Sequence, residues 1–351
     1  MLAIKNANEC QTDAVSLGEV LLRFDAGEMR IFNAREFRVW DGGAEYNVAA
    51  NLSRVFKMRT AIVTALADNG LGRLAENFVR EAGVDTARIR WVEHDGIGAA
   101  TRNGLYFIER GFGLRAPNSA FDRGHTAVSQ LRPGDVDWDS IFRNGVRWFH
   151  TGGVFTGLSE TTPDVAAEAM AAAKAGGSVV SYDLNYRNSL WSKRGGREAA
   201  NELNRRLLKY ADVVFGTFDF DSDLPTFSES AFQKAAAKMR SDFPNLQVIV
   251  STLRATSSAS RHGLGGVCFA DDRIYRSTSH TDIEVLDRVG SGDAFASAFI
   301  YAMLEGRDAQ FAIDCAAAHG SLAMTTPGDA SMATLDEVLS LMEGRGAGAV
   351  R

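Results

Sequence analysis

The stretch Asp287-Arg288-Val289-Gly290-Ser291-Gly292-Asp293-Ala294-Phe295 joins two glycines, a carboxylate and the start of a helix-forming run. Ala294 to Leu304 contains neither Pro nor Gly and is rich in Ala, Phe, Ile and Met, which predicts a buried helix. Gly290, Ser291 and Gly292 then stand at its N-terminus, where backbone N–H groups lack intrahelical acceptors and the helix dipole favours an anion. Asp293 has two readings. Taken alone it is a helix N-cap. Beside an anion hole it is a base that accepts a hydroxyl proton while the amides hold a moving phosphoryl group.

Hydrophobic patterning predicts the elements that position this pair. Ala14 to Gly18, Ala61 to Leu66, Trp148 to Thr151, Ser178 to Asp183, Asp212 to Phe215 and Gln247 to Ser251 read as short buried strands. Helical runs alternate with them: Ala44 to Val55, Asp68 to Ala82, Pro163 to Ala175, Glu198 to Tyr210, Glu229 to Met239, Ala309 to Met324 and Thr334 to Met342. A single strand is expected over Val84 to Val92. The expected fold class is α/β: a doubly wound, mostly parallel sheet flanked by helices, binding its ligand at the carboxyl ends of its strands. Two segments depart from this rhythm, at about 19–41 and 99–123. Their partly alternating strands, Met29 to Phe32 among them, predict a small β-sheet lid. Residues 1–13 and 343–351 read as flexible ends of a domain spanning 14–342.

Polar and glycine residues follow several of these strands. Gly42-Gly43 opens a helix that carries Asn47 one turn in; the pair is either a plain turn or a close approach to a ligand. Arg187 follows a strand, where its planar fork suits a carboxylate or phosphate, or else pairs with the next helix. Tyr106 and Arg123 lie on the lid and taken singly are ordinary strand residues. Gly263-Leu264-Gly265-Gly266 and Gly111-Phe112-Gly113 read as turns. No GxxxxGK[ST] occurs and no GxGxxG follows the first strand, which argues against a Walker-type nucleotide site and a nicotinamide fold.

The composition of the 351 residues is that of a globular protein: 45% hydrophobic, 23% charged, net charge −6. Without a Lys/Arg block, neither nucleic acid nor an anionic membrane is expected as partner, so placed cations must meet any anionic substrate. Cys10, Cys268 and Cys315 are widely spaced, and the six His show no paired-ligand spacing. Reduced thiols and no zinc site are expected. The sequence lacks a signal-peptide pattern and any run of 18 apolar residues, so a soluble cytoplasmic protein is expected.

Taken together, Asp287 to Phe295, Leu17-Gly18-Glu19-Val20 and Gly42-Gly43-Ala44-Glu45-Tyr46-Asn47-Val48-Ala49 resemble the signatures of the PfkB-type (ribokinase-like) carbohydrate kinases, from Val15 to about Met342. Gly104-Leu105-Tyr106, Phe121-Asp122-Arg123 and Asp183-Leu184-Asn185-Tyr186-Arg187 bring it nearest the 2-keto-3-deoxygluconate kinases of that family. The resemblance implies Asp293 as the base and Gly290, Ser291 and Gly292 as the anion hole for the γ-phosphate. It implies Gly43, Asn47, Tyr106, Arg123 and Arg187 as substrate-binding residues, the arginines facing a sugar-acid carboxylate. Thr252 would lie beside the nucleotide. ATP, Mg²⁺ and in some members a monovalent cation are the implied cofactors, with no protein metal ligand assigned, and dimerisation through the lid is implied. A fructokinase or other hexose or pentose kinase, and a non-catalytic sugar-binding homologue, are the alternatives. This chain departs from the family twice. Gly216-Thr217-Phe218-Asp219 lacks the usual Asn and Glu that organise Mg²⁺, and Arg254 stands where the nucleotide loop usually has glycine.

Overall fold

The computed structural model describes residues 2–345. Its strands are β1 (Thr12–Leu17), β2 (Leu21–Asp25), β3 (Arg38–Gly42), β4 (Thr60–Ala67) and β5 (Val84–Asp85). They continue as β6 (Ile89–Val92), β7 (Gly104–Glu109), β8 (Asn118–Asp122), β9 (Val146–Gly152) and β10 (Val179–Asp183). The last are β11 (Val213–Phe215), β12 (Val248–Ser258), β13 (Arg261–Ala270), β14 (Arg273–Arg276) and β15 (His280–Glu284). An 11-stranded sheet runs β14-β13-β12-β11-β10-β9-β1-β4-β5, with β15 on β13 and β6 on β4. From β12 through β11, β10, β9, β1 and β4 every pairing is parallel; β12, β13, β14 and β15 pair antiparallel.

Strand periodicity divides the core. In β11, Val213 and Phe215 face one layer while Val214 faces the other; in β12, Val248 and Val250 are separated from Ile249 in the same way. One layer packs against the helices Thr162–Ala175, Gly196–Leu208 and Glu229–Asp242. The other packs against Ala44–Arg54, Ser291–Leu304 and Ala309–Ala323. Burial on both faces is why these strands are continuously apolar. None of the described helices is long and apolar enough to cross a membrane.

A second, 4-stranded sheet, β3-β2-β7-β8, is built from the two interrupting segments. Phe24 and Phe107 stack at 5.0 Å with Phe37 edge-on to both. β8 forms its edge, with all five residues exposed.

Several expectations need correction. Met29 to Phe32 is no strand: Ile31–Asn33 forms a 3₁₀ turn, and Glu109 accepts from the Ile31 N–H at 2.8 Å and from Arg30 Nε at 2.7 Å. Val84 to Val92 is two strands, β5 and β6, both beside β4. Gly263 to Gly266 lies inside β13, where missing side chains let Leu224, Phe295 and Ile313 pack close to the backbone. Residues 2–13 pack rather than fray. Leu2 and Cys10 are buried, Arg59 donates to the Ala7 and Cys10 carbonyls, and β1 begins at Thr12. At the other end the expectation for 343–351 falls largely on 346–351, outside the described residues.

Candidate active site

The parallel strands end on a common cleft of about 950 Å³, and residues of the 4-stranded sheet line it as well. Gly43, Asn47, Tyr106, Arg123, Arg187, Thr252, Gly290, Ser291, Gly292 and Asp293 all line it. The topology gathers them from the helix after β3, strand β7 of the 4-stranded sheet, the turn beyond β8, the loop after β10, β12 and the start of Ser291–Leu304.

Asp293 sits in the first turn of the helix Ser291–Leu304, 7% exposed. Asn47 Nδ2 donates to its Oδ2 at 2.7 Å, so two sequence-distant helix starts meet here. Burial raises the Asp293 carboxyl to about 7, outweighing the Asn47 hydrogen bond and the positive Arg187, while Asp183 and Asp329 push the same way as burial. Asp293 donates and accepts no helix-capping bond: the N-cap residue is Gly290, at φ +80°. A Cβ on Gly290 would lie 1.8 Å from the Asp329 carbonyl oxygen, so only glycine fits. Gly43, at φ +140°, is held equally tightly against the Glu19 carbonyl.

On the side of the 4-stranded sheet, charged and polar contacts hold the cleft residues. Tyr106 donates its hydroxyl to Asp329 and stacks on Phe121 at 5.5 Å. Arg123 pairs with the buried Glu19. Arg187 precedes the short helix Asn188–Trp191 and has no side-chain partner among the described residues. Asn47 Oδ1, Arg123 Nε and Thr217 Oγ1 are buried without hydrogen-bond partners. Buried polar groups are nearly always satisfied, so orphaned atoms on cleft residues mark where a polyhydroxylated ligand would bond.

Other residues of the site were not singled out from the sequence. Glu45 is fully enclosed beneath the cleft, accepts from the Phe155 N–H at 2.9 Å and is raised to about 8 by burial. Asp183 lines the cleft wall and is raised by burial to about 6. Behind the Gly290–Gly292 turn, Arg23 donates to Asp329 at 2.8 Å, to Asp25 at 2.9 Å and to Asp287. Glu19 and Glu45 lay inside recognised motifs; Arg23 and Asp329 carried no local signal, because their significance is a contact across 306 residues.

Phe218, buried with Arg205 over its ring at 4.4 Å, borders the cleft but brings it no hydrogen-bond donor. Thr217 and Asp219 remain on the cleft wall with Asp183. These are hard oxygen donors of the kind Mg²⁺ and its waters accept. Among the described residues no group of three or more His, Cys, Asp or Glu forms a protein-only metal cage.

Comparison with known proteins agrees with this geometry. The chain is 30% identical over 340 residues to 2-dehydro-3-deoxygalactonokinase of Haloferax volcanii, covering 96% of this chain and 98% of that protein. It is 27% identical to 5-dehydro-2-deoxygluconokinase of Shouchella clausii, covering 95% and 96%. The crystal structure of 2-dehydro-3-deoxygluconokinase from Thermotoga maritima superposes with a TM-score of 0.84 at 32% identity, covering 95% of this chain and all of that one. The family model described as pfkB family carbohydrate kinase matches residues 11–335. With both signature segments on one cleft and that match across nearly the whole chain, the protein belongs to the pfkB family of carbohydrate kinases.

Proposed function

We propose that the protein transfers the γ-phosphoryl group of ATP to the terminal hydroxyl of a six-carbon keto-deoxy sugar acid, most readily 2-keto-3-deoxygluconate, giving the 6-phosphate. The observation that carries this reading is Asp293: a carboxyl held by Asn47, next to the Gly290–Gly292 amides, on a cleft shared with Arg123 and Arg187.

Asp293 Oδ2 is the proton acceptor. A primary hydroxyl is a poor nucleophile near neutrality, and a positioned base contributes roughly 10²–10⁴-fold. A carboxyl titrating near 7 is a stronger base than an ordinary aspartate and is still ionised in an adequate fraction. The Gly290, Ser291 and Gly292 N–H groups stabilise charge on the transferred group from a fixed position. Arg123 and Arg187 take the sugar-acid carboxylate, and Asn47 and Gly43 face its hydroxyls. Thr252 lies on the donor side. Asp183, Thr217 and Asp219 fit a Mg²⁺ carried in on the donor's phosphates, where it would neutralise their charge. The lid sheet excludes water that would otherwise compete for the phosphoryl group.

The names of the relatives support an acidic substrate, since 2-dehydro-3-deoxy and 5-dehydro-2-deoxy sugar acids recur among them. A coupled ADP-release assay over 2-keto-3-deoxygluconate, its galacto epimer, 5-keto-2-deoxygluconate and fructose tests the reading. Preference for a 2-keto-3-deoxy acid is expected. No phosphorylated product from any sugar acid, or a clear preference for fructose, overturns it.

A further inference from the structure

We infer that Arg254, assisted by Arg288, is a catalytic residue that places cationic charge on the donor's terminal phosphates opposite the Gly290–Gly292 amides. This rests on the kinase reading above and adds to it a group on the nucleotide side of the cleft.

The backbone of Arg254 is fixed. Its N–H donates to the Ser222 carbonyl at 2.9 Å and its carbonyl accepts from the Leu224 N–H at 2.8 Å, so the loop after Asp219 clamps β12 at this residue. The side chain opens into the cleft. Its Nη2 stands 3.0 Å from where a Cβ on Gly292 would be, which puts the guanidinium against the middle of the anion hole. The glycine there leaves room for that approach.

The guanidinium is also unpaired. Arg187, Arg254 and Arg288 all line the cleft, and none has an ion pair or side-chain hydrogen bond among the described residues. Burial and the neighbouring Arg187 and Arg288 disfavour the Arg254 charge, and Asp183 and Asp293 only partly offset them. Arginine keeps its proton in spite of this, so the cleft holds excess positive charge in a protein of net charge −6. Several like charges held together without partners fit a polyanion, and a guanidinium fork matches phosphate oxygens two at a time.

Position separates this role from substrate recognition. Arg123 hangs from the lid and Arg187 from the loop after β10, whereas Arg254 shares β12 with Thr252 and faces Gly292. It also stands where the family usually has glycine, beside a cleft wall to which Phe218 brings no hydrogen-bond donor. A fixed guanidinium there neutralises charge as the phosphoryl group moves, which an arginine can supply at roughly 10³-fold or more.

The test uses the full chain and the variants Arg254→Ala and Arg254→Lys, each checked by circular dichroism. ATP and ADP affinities are measured by calorimetry, and kcat and KM with the sugar acid that the wild type phosphorylates fastest. The expected result is a loss of about 10²–10³-fold in kcat for Arg254→Ala, with partial recovery in Arg254→Lys because a point charge lacks the fork. ATP affinity should fall at least tenfold while ADP affinity and the sugar KM change little. If the alanine variant does not fold, the lysine variant carries the same comparison. A raised sugar KM with unchanged ATP affinity would assign Arg254 to the substrate carboxylate and overturn the inference, as would wild-type kcat in both variants. A wild type that phosphorylates no sugar refutes the proposed function instead, and the ATP-versus-ADP comparison still decides the role of Arg254.

Discussion

Replacing Arg23 by Met should destabilise the protein by about 4 kcal/mol near pH 8. Arg23 is fully buried and holds Asp25, Asp287 and Asp329, which are 1%, 3% and 5% exposed. Removing one partner of a buried ion pair costs about 3–5 kcal/mol, because the remaining charge keeps its desolvation penalty. Three carboxylates lose their partner at once, but Arg110 Nε stays 3.2 Å from Asp25 and a carboxyl can take up a proton, so the middle of that range applies. With an unfolding entropy of about 2.1 cal/mol/K per residue, the loss corresponds to a Tm lower by about 5 °C. The sign of the pH dependence follows from linkage. Burial already raises the Asp329 carboxyl above its usual range and Arg23 opposes that rise, so without Arg23 it rises further and stability is lost as pH rises through it. The Tm deficit should therefore be larger at pH 8 than at pH 5, and Arg23→Met/Asp329→Asn should recover part of it. Thermal melts of wild type, single and double variants at both pH values check this. A Tm within 1 °C of wild type at pH 8, or a deficit that grows on acidification, would refute the reasoning.

Asp293→Asn should lower kcat by at least 10²-fold yet raise Tm above pH 7, because the native carboxyl is raised to about 7 and its ionisation opposes folding; activity and melting curves on one preparation show both. For the wild type, kcat/KM should climb with pH until Asp293 is ionised and level off above about 7, as a pH–rate profile would reveal. Gly290→Ala should abolish activity and destabilise the fold, since its Cβ would collide with the Asp329 carbonyl at 1.8 Å; a melt and a rate measurement suffice. Arg123→Ala should raise KM for a sugar acid by roughly tenfold or more while sparing fructose, because an unpaired ligand carboxylate costs more than a lost neutral contact.

Much of the fold was legible because buried parallel strands announce themselves. Runs such as Ala61 to Leu66 and Val213 to Phe215 must be apolar on both faces, and the helices between them carry their own periodicity. The misreadings came where local pattern and tertiary context disagree. Met29 to Phe32 has strand-like residues, but the Glu109 carboxylate captures the chain as a turn. Gly263 to Gly266 has turn-like residues, but Phe295 and Ile313 need the space those glycines leave within β13. Polar Ala7 to Gln11 looks free until Arg59 and Gly145 bond its backbone.

The site divides along the same line. Asp293 beside Gly290-Ser291-Gly292 is a local arrangement: adjacent residues at one helix start necessarily lie together, so the sequence by itself determined their proximity. Contacts between distant segments were decided only by the tertiary structure. Asn47 reaches Asp293 across 246 residues, Arg23 reaches Asp329 across 306, and Arg254 comes to lie over Gly292 from another strand. Spacing along a chain constrains what one helix turn can present, whereas burial, which raises Asp293 toward neutrality, exists only once the layers have packed.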